Sequence, residues 1–257
     1  VTDAEGAGEG FDGLSGARPG TGPPAGVATV ARPGDGPSTR LVLVRHGEAH
    51  CNVSGVCGGP VGCGGLTELG RAQAVALAGR LAATGELDGC EALYASVLDR
   101  ARQTAAVLAP VLLGPGAAVR TRCDLCELHP GEADGLTWEE FSDRFGAPDW
   151  DTDPDRPLAP GGESWTGFVR RAAGALDEVA AAHPGGLVVV VCHAGVIEAS
   201  LLAKLAVAGG TDGARLQLRT RHVSMTTWEV EGDRWRLAVY NDAPREVTGA
   251  LAPNQQA

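Results

Sequence analysis

The chain has 257 residues, 32 acidic side chains against 21 lysines and arginines, a formal charge of −11 and 44% hydrophobic residues. That composition fits one globular domain with a real core plus a tail, and its acidity excludes a general nucleic-acid binder, whose affinity rests on phosphate neutralisation. A small anionic substrate stays open, because low-dielectric walls focus a local positive field inside an acidic protein.

In chain order, residues 1–38 are rich in Gly, Pro and Ala and read as a disordered tail. Leu41 to Val44 is a short buried-strand run. "LTELGRAQAVALAGRLAATG" reads as a helix capped by Thr67 and stopped at Gly85. "EALYAS" predicts a strand ending near Ser96, and "DRARQTAAVLAPVLL" a helix disturbed at Pro110. A strand is expected over Ala118 to Cys123, then a short helix in "TWEEFSDRF" with Thr137 as its cap. Residues 147–162 form a Pro/Asp-rich loop, a candidate lid. "ESWTGFVRRAAGALDEVAAAH" is a strong helix with Glu163 and Ser164 capping it and His183 at its end. "LVVVVC" is a buried strand, "GVIEASLLAKLAVAG" a helix, and "VSMTTWEV" with "RWRLAVY" a closing hairpin.

Strands alternating with helices predict an α/β three-layer sandwich, with a mostly parallel mixed central sheet and helices on both faces. The expected domain runs over residues 39–245, with a flexible tail at 246–257. No apolar run is long enough to span a membrane and no leader-like start is present, so the expected location is cytoplasmic, without a membrane partner. The seven cysteines, an odd number, argue against a disulfide framework. Cys123-x-x-Cys126 resembles half a zinc site. Cys57 and Cys63 fit poorly as the other half, and free thiols are expected.

In such sheets chemistry gathers at the carboxyl ends of strands. Three expected strands end in polar residues: Arg45-His46-Gly47, Ser96 ahead of Arg100, and Cys192-His193. Arg45 and His46 face one ligand only if the strand has ended there, and Gly47 permits a turn and a close backbone approach. A histidine neutral near pH 7 beside a guanidinium suits attack on a phosphate. His193 precedes a helix whose N-terminus favours an anion. Arg100 falls in a first helical turn, where an anionic ligand offsets its unfavourable position.

"RHGEAHCN", "LTELGRAQA", "SVLDRARQTA", "LCELHPGEADGLT", "GGESW" and "CHAGVIEA" follow one another in the order of the histidine phosphatase superfamily. Residues 40–242 resemble this phosphoglycerate mutase-like family, and its phosphatase branch in particular. The resemblance implies that His46 is the phosphorylated nucleophile, that Arg45, Arg100 and His193 grip the phosphoryl group, and that Glu127 is the general acid. It also implies phosphate contacts from Asn52 and from the Ala194 N–H, no metal or other cofactor, and a small phosphorylated metabolite as substrate. Ala49, Cys51 and Val97 stand where the family usually has Thr, Trp and Pro. "VSGVCGGPVGCGG" is unusually rich in Gly and Cys, and the resemblance implies that it covers the stretch that commonly contacts substrate in the family.

The resulting expectation is a metal-independent phosphatase for small phosphomonoesters. The alternatives are a cofactor-dependent phosphoglycerate mutase, disfavoured by the short acidic segment 128–160, and a catalytically dead phospho-ligand binder, which should have lost a core residue. Glu132 and Asp134 are expected to shape a turn, His50 and His129 to be solvated, and His222 to pack beneath the site.

Overall fold

The computed structural model describes residues 38–205 and 218–244. The tails expected at 1–38 (Ser38 apart) and 246–257, and the end of the helix expected to reach residue 209, lie outside the described residues.

Among the described residues six strands form one sheet in the order β3-β2-β4-β1-β5-β6. They are β1 (Thr39–Arg45), β2 (Cys90–Ser96), β3 (Arg120–Arg122), β4 (Leu187–Cys192), β5 (Met225–Glu231) and β6 (Arg234–Asp242). The helices are α1 (His50–Ser54), α2 (Glu68–Thr84), α3 (Asp99–Leu112), α4 (Trp138–Phe145), α5 (Trp165–Ala181) and α6 (Ala194–Lys204). Neighbours among β1 to β4 run parallel, while β5 is antiparallel to both β1 and β6.

The central strands lack polar alternation because both faces are covered. Leu41 and Leu43 of β1 and Val188 and Val190 of β4 face α5 and α6. Val42 and Val44, with Val189 and Val191, face α2 and α3. All eight side chains are fully buried, at about 1.5–3 kcal/mol of hydrophobic stabilisation for each large one. The result is the three-layer sandwich that the element pattern predicts.

Local chemistry sets the element ends. The Thr67 side chain accepts from the Gly70 N–H and starts α2. Thr137 and Glu140 form a reciprocal capping box on α4. Gly85, at φ 64°, ends α2 in the left-handed conformation. The Ser164 hydroxyl caps α5 by accepting from Gly167. Glu163 does not share in that cap: it pairs instead with Arg171 at 2.6 Å.

Pro110 was expected to disturb α3, yet the helix runs on to Leu112. The proline sits in the last turn, where only one N–H is forgone and the chain is about to leave the helix. The expected strand over 118–123 shrinks to Arg120–Arg122, because a 3₁₀ turn takes Cys123–Leu125. In the candidate lid, Leu158 and Ala159 are buried with Cys57, Ala133 and Phe141 in a small satellite core, and Pro157 bridges Ser164.

Candidate active site

The β1–β4 register pairs Arg45 with Cys192, so the next residue on each strand, His46 and His193, emerges side by side. Their ring centroids lie 5.1 Å apart. His46 is 3% exposed and its N–H donates to the Cys192 carbonyl at 3.0 Å. Its Nδ1 stands 2.6 Å from the Gly47 carbonyl. A carbonyl only accepts, so the proton belongs on Nδ1 and the lone pair on Nε2. Arg100 Nε donates to that Nε2 at 3.1 Å, which agrees with the same tautomer. Burial, followed by Arg100, His193, Arg45 and His222, holds the His46 pKa well below the ordinary 6.5. The ring is therefore neutral at pH 7, with an unprotonated Nε2.

The loop after His46 depends on a close approach. A Cβ on Gly47 would meet the Gly70 carbonyl at 2.4 Å, and one on Gly70 would meet the Glu48 carbonyl at 1.9 Å. Both glycines let the first turn of α2 lie directly on the loop. The Gly47 N–H donates to Thr104 Oγ1, whose hydroxyl donates to the Arg100 carbonyl at 2.8 Å. The loop and α3 are thus stitched together around the arginine.

Arg100 lies in the first turn of α3, as expected, and is 3% exposed. Its Nη1 donates to the Gly58 carbonyl at 2.7 Å. Arg45 donates from Nη1 to the Thr220 carbonyl. Burial is the main cause that brings the Arg45 pKa down to about 10, against a raising effect from Glu127; the group remains charged at pH 7. Its Nε has no hydrogen-bond partner among the described residues.

His193 is fully buried at the N-cap of α6. Ser96 Oγ, ending β2, lies 2.6 Å from His193 Nε2 and accepts the Leu98 N–H at 3.3 Å. Its own proton is then available to Nε2, which puts the imidazole proton on Nδ1. That Nδ1 is another buried atom without a partner. Burial first, then Arg100 and Arg45, pushes the His193 pKa well down. His222 packs against His46 at 5.8 Å between centroids, and burial with Arg45 takes its pKa to about 3.

Glu127 follows the 3₁₀ turn. Its Oε2 accepts the Gly195 N–H at 3.1 Å, and its Oε1 accepts the Leu128 N–H at 3.2 Å. The carboxylate thus sits at the start of α6, two residues beyond His193. A Cβ on Gly195 would meet Oε1 at 2.2 Å, so only glycine allows this contact. Arg171 reaches across from α5 to the carbonyls of Asp124, Cys126 and Glu127 at 2.9, 3.0 and 3.3 Å.

The sequence-expected residues Arg45, His46, Arg100, Glu127 and His193 therefore converge. Ala194 opens α6 beside them. Asn52 spends its Oδ1 on the Ala49 N–H at 3.0 Å, capping α1. Gly131–Ala133 form the expected turn as a 3₁₀ helix, and Asp134 after it accepts the N–H groups of the distant Val61 and Gly62, both at 2.9 Å. His129 keeps 37% of its side chain exposed, in keeping with a solvated loop residue, while its Nε2 lies 3.7 Å from Cys123 Sγ. Sequence reasoning assigned no role to Ser96, Thr104, Gly58 or Arg171. Ser96 carried a signal as a polar strand end, whereas Gly58 meets Arg100 across 42 residues, Arg171 meets Asp124 across 47 and Thr104 meets Gly47 across 57.

The family model of the histidine phosphatase superfamily (branch 1) matches residues 41–243. A metal-independent phosphoserine phosphatase of Arabidopsis thaliana is 37% identical over 169 residues, 64% of this chain and 68% of that protein. A bifunctional protein of Mycobacterium tuberculosis is 33% identical over 202 residues, 77% of this chain. The chain spans about half of that relative's length, 52%. A mycobacterial glucosyl-3-phosphoglycerate phosphatase solved in complex with VO3 superposes with a TM-score of 0.65 at 33% identity, over 79% of this chain and 99% of that one.

Proposed function

The chain belongs to the histidine phosphatase superfamily, and from that premise we propose that residues 39–245 form a metal-independent phosphatase domain that hydrolyses small phosphomonoesters through phosphohistidine at His46. The similarity to a phosphoserine phosphatase and a glucosyl-3-phosphoglycerate phosphatase supports a small phosphorylated substrate.

The observation that carries the mechanism is the fixed His46 tautomer, with Nδ1 on the Gly47 carbonyl and an unprotonated Nε2. Once Arg100 Nε turns from Nε2 to a phosphate oxygen, that nitrogen attacks phosphorus in line with the departing oxygen. The charge spreading over the equatorial oxygens is met by Arg45, Arg100 and His193, the last two of them buried. Arg45 Nε and His193 Nδ1, buried without partners among the described residues, are donors suited to an anion. The N-terminus of α6 at Ala194 adds its positive end. The Asn52 amide nitrogen is the group left to contact substrate, since Oδ1 is engaged.

Glu127, protonated for the first step, passes its proton to the leaving alkoxide. As a carboxylate it then takes a proton from water, whose oxygen attacks the phosphohistidine and regenerates neutral His46. In the first half-reaction a P–N bond forms as the ester P–O bond breaks, in the second a P–O bond to water forms as the P–N bond breaks, and Glu127 gives one proton and regains one. The test is a phosphatase screen over phosphorylated metabolites with His46→Ala alongside. Phosphate release that vanishes in the variant is expected; release that survives would overturn the mechanism.

A further inference from the structure

On the outer side of the segment that carries Glu127, two thiols and an imidazole converge, and the phosphoryl chemistry uses none of them. The 3₁₀ turn Cys123–Leu125 brings Cys126 back over Cys123, with the Cys126 N–H on the Cys123 carbonyl at 3.0 Å. The i and i+3 side chains of such a turn fall on one side. His129 arrives three residues later. Cys123 Sγ, Cys126 Sγ and a His129 ring nitrogen all lie within 4.8 Å of one another, and His129 Nε2 stands 3.7 Å from Cys123 Sγ.

We infer that Cys123, Cys126 and His129 form a binding site for one thiophilic divalent cation of the zinc class. Zinc–sulfur and zinc–nitrogen bonds at tetrahedral angles place neighbouring donors about 3.5–3.8 Å apart, so the Cys123–His129 pair already has the required spacing. Two sulfurs and one imidazole select zinc over the hard cations magnesium and calcium. The three protein donors leave the fourth position to solvent, on the side where Cys123 is exposed.

The surroundings of His129 match those of a metal-binding histidine. Its Nδ1 faces Glu163 Oε2 at 3.6 Å, and the same oxygen accepts the His129 N–H at 3.0 Å. Carboxylates behind metal-bound imidazoles fix the ring and its tautomer. Glu163 is itself held by Arg171, at 2.7 Å from Nε and 2.6 Å from Nη2. Arg171 also binds the carbonyls of Asp124 and Cys126 at 2.9 and 3.0 Å. One guanidinium therefore organises both the donor loop and the supporting carboxylate. Cys57 and Cys63 do not take part: Cys57 packs in the satellite core and Cys63 against Leu98 and Cys126.

The site flanks Glu127 on both sides in sequence, so a bound cation ties down the segment bearing the acid without touching phosphorus. The test uses the full chain, reduced, stripped with chelator and titrated with Co2+ and then Zn2+. One equivalent of Co2+ with a thiolate-to-cobalt charge-transfer band is expected, displaced by Zn2+ and accompanied by a zinc-dependent rise in Tm. Cys123→Ser, at an exposed position that does not threaten folding, should abolish the band and the Tm shift. His129→Ala should weaken binding at least about tenfold, and Cys57→Ser should leave it intact. These readouts do not depend on turnover, so they are decided separately from the phosphatase reading. Three results would overturn the site: no stoichiometric cobalt in the reduced wild type, binding that persists in Cys123→Ser, or a reduced protein that ignores the metal while Cys123 and Cys126 oxidise reversibly to a disulfide.

Discussion

The contact between Glu127 and Gly195 is the tightest constraint on the proposed acid. Glu127 Oε2 takes the Gly195 N–H at 3.1 Å, in a space that a single methyl group would fill. Gly195→Ala should therefore displace the carboxyl group and leave His46 in place. The expected outcome is a fall in kcat of about 10²-fold on alkyl phosphates, whose leaving oxygen needs a proton. An aryl phosphate with an acidic phenol should lose much less. Steady-state kinetics on the two substrates check this, and equal losses would contradict the assignment. The sequence made Glu127 legible through its motif, and His193 through its place before a helix. It did not make Ser96's grip on His193 legible, since that bond joins residues 97 apart. Nor did it reveal Val223, a β-branched residue held at φ 51° between His222 and Ser224; tertiary packing there overrides local preference.

At the scale of elements, the pairing of β1 with β4 brings the histidines together, and the buried valines and leucines of both strands hold that pairing. Leu43 lies fully buried in the face that packs on α5 and α6. Leu43→Ala should cost about 2–5 kcal/mol through lost burial and a residual cavity, measured by urea unfolding; a cost below about 1 kcal/mol would contradict the packing. Strands and long helices were readable because uninterrupted apolar runs and helical periodicity are local signals. The α2 and α4 boundaries were readable because Thr67, Gly85 and Thr137 act on neighbours within a few residues. The failures came where local and tertiary effects compete. Pro110 was tolerated near a helix end, and a 3₁₀ turn at Cys123 cut short the expected strand. The approach of His129 to Cys123 and Cys126 went unread because it depends on that same 3₁₀ turn, where a strand was expected.

For the molecule as a whole, an acidic chain of net charge −11 concentrates buried cationic and imidazole groups at the carboxyl ends of its central strands. His46, His193 and His222 all have pKa values lowered by burial and by nearby arginines. Below about pH 6.5 the unfolded chain takes up protons at these positions that the native state refuses. Stability should therefore be full above that pH and should fall as the pH drops from 6 to 5, with His222, held at about 3, alone contributing about 1 kcal/mol of that fall. Urea unfolding in the absence of phosphate checks the slope, and a flat profile would contradict the burial of neutral imidazoles. The most direct test of the central claim is rapid-quench trapping with a substrate labelled in its phosphoryl group. The account predicts an alkali-stable, acid-labile label on His46 within the first turnover, lost in His46→Ala. Turnover with no label on the protein, or label on another residue, would contradict it.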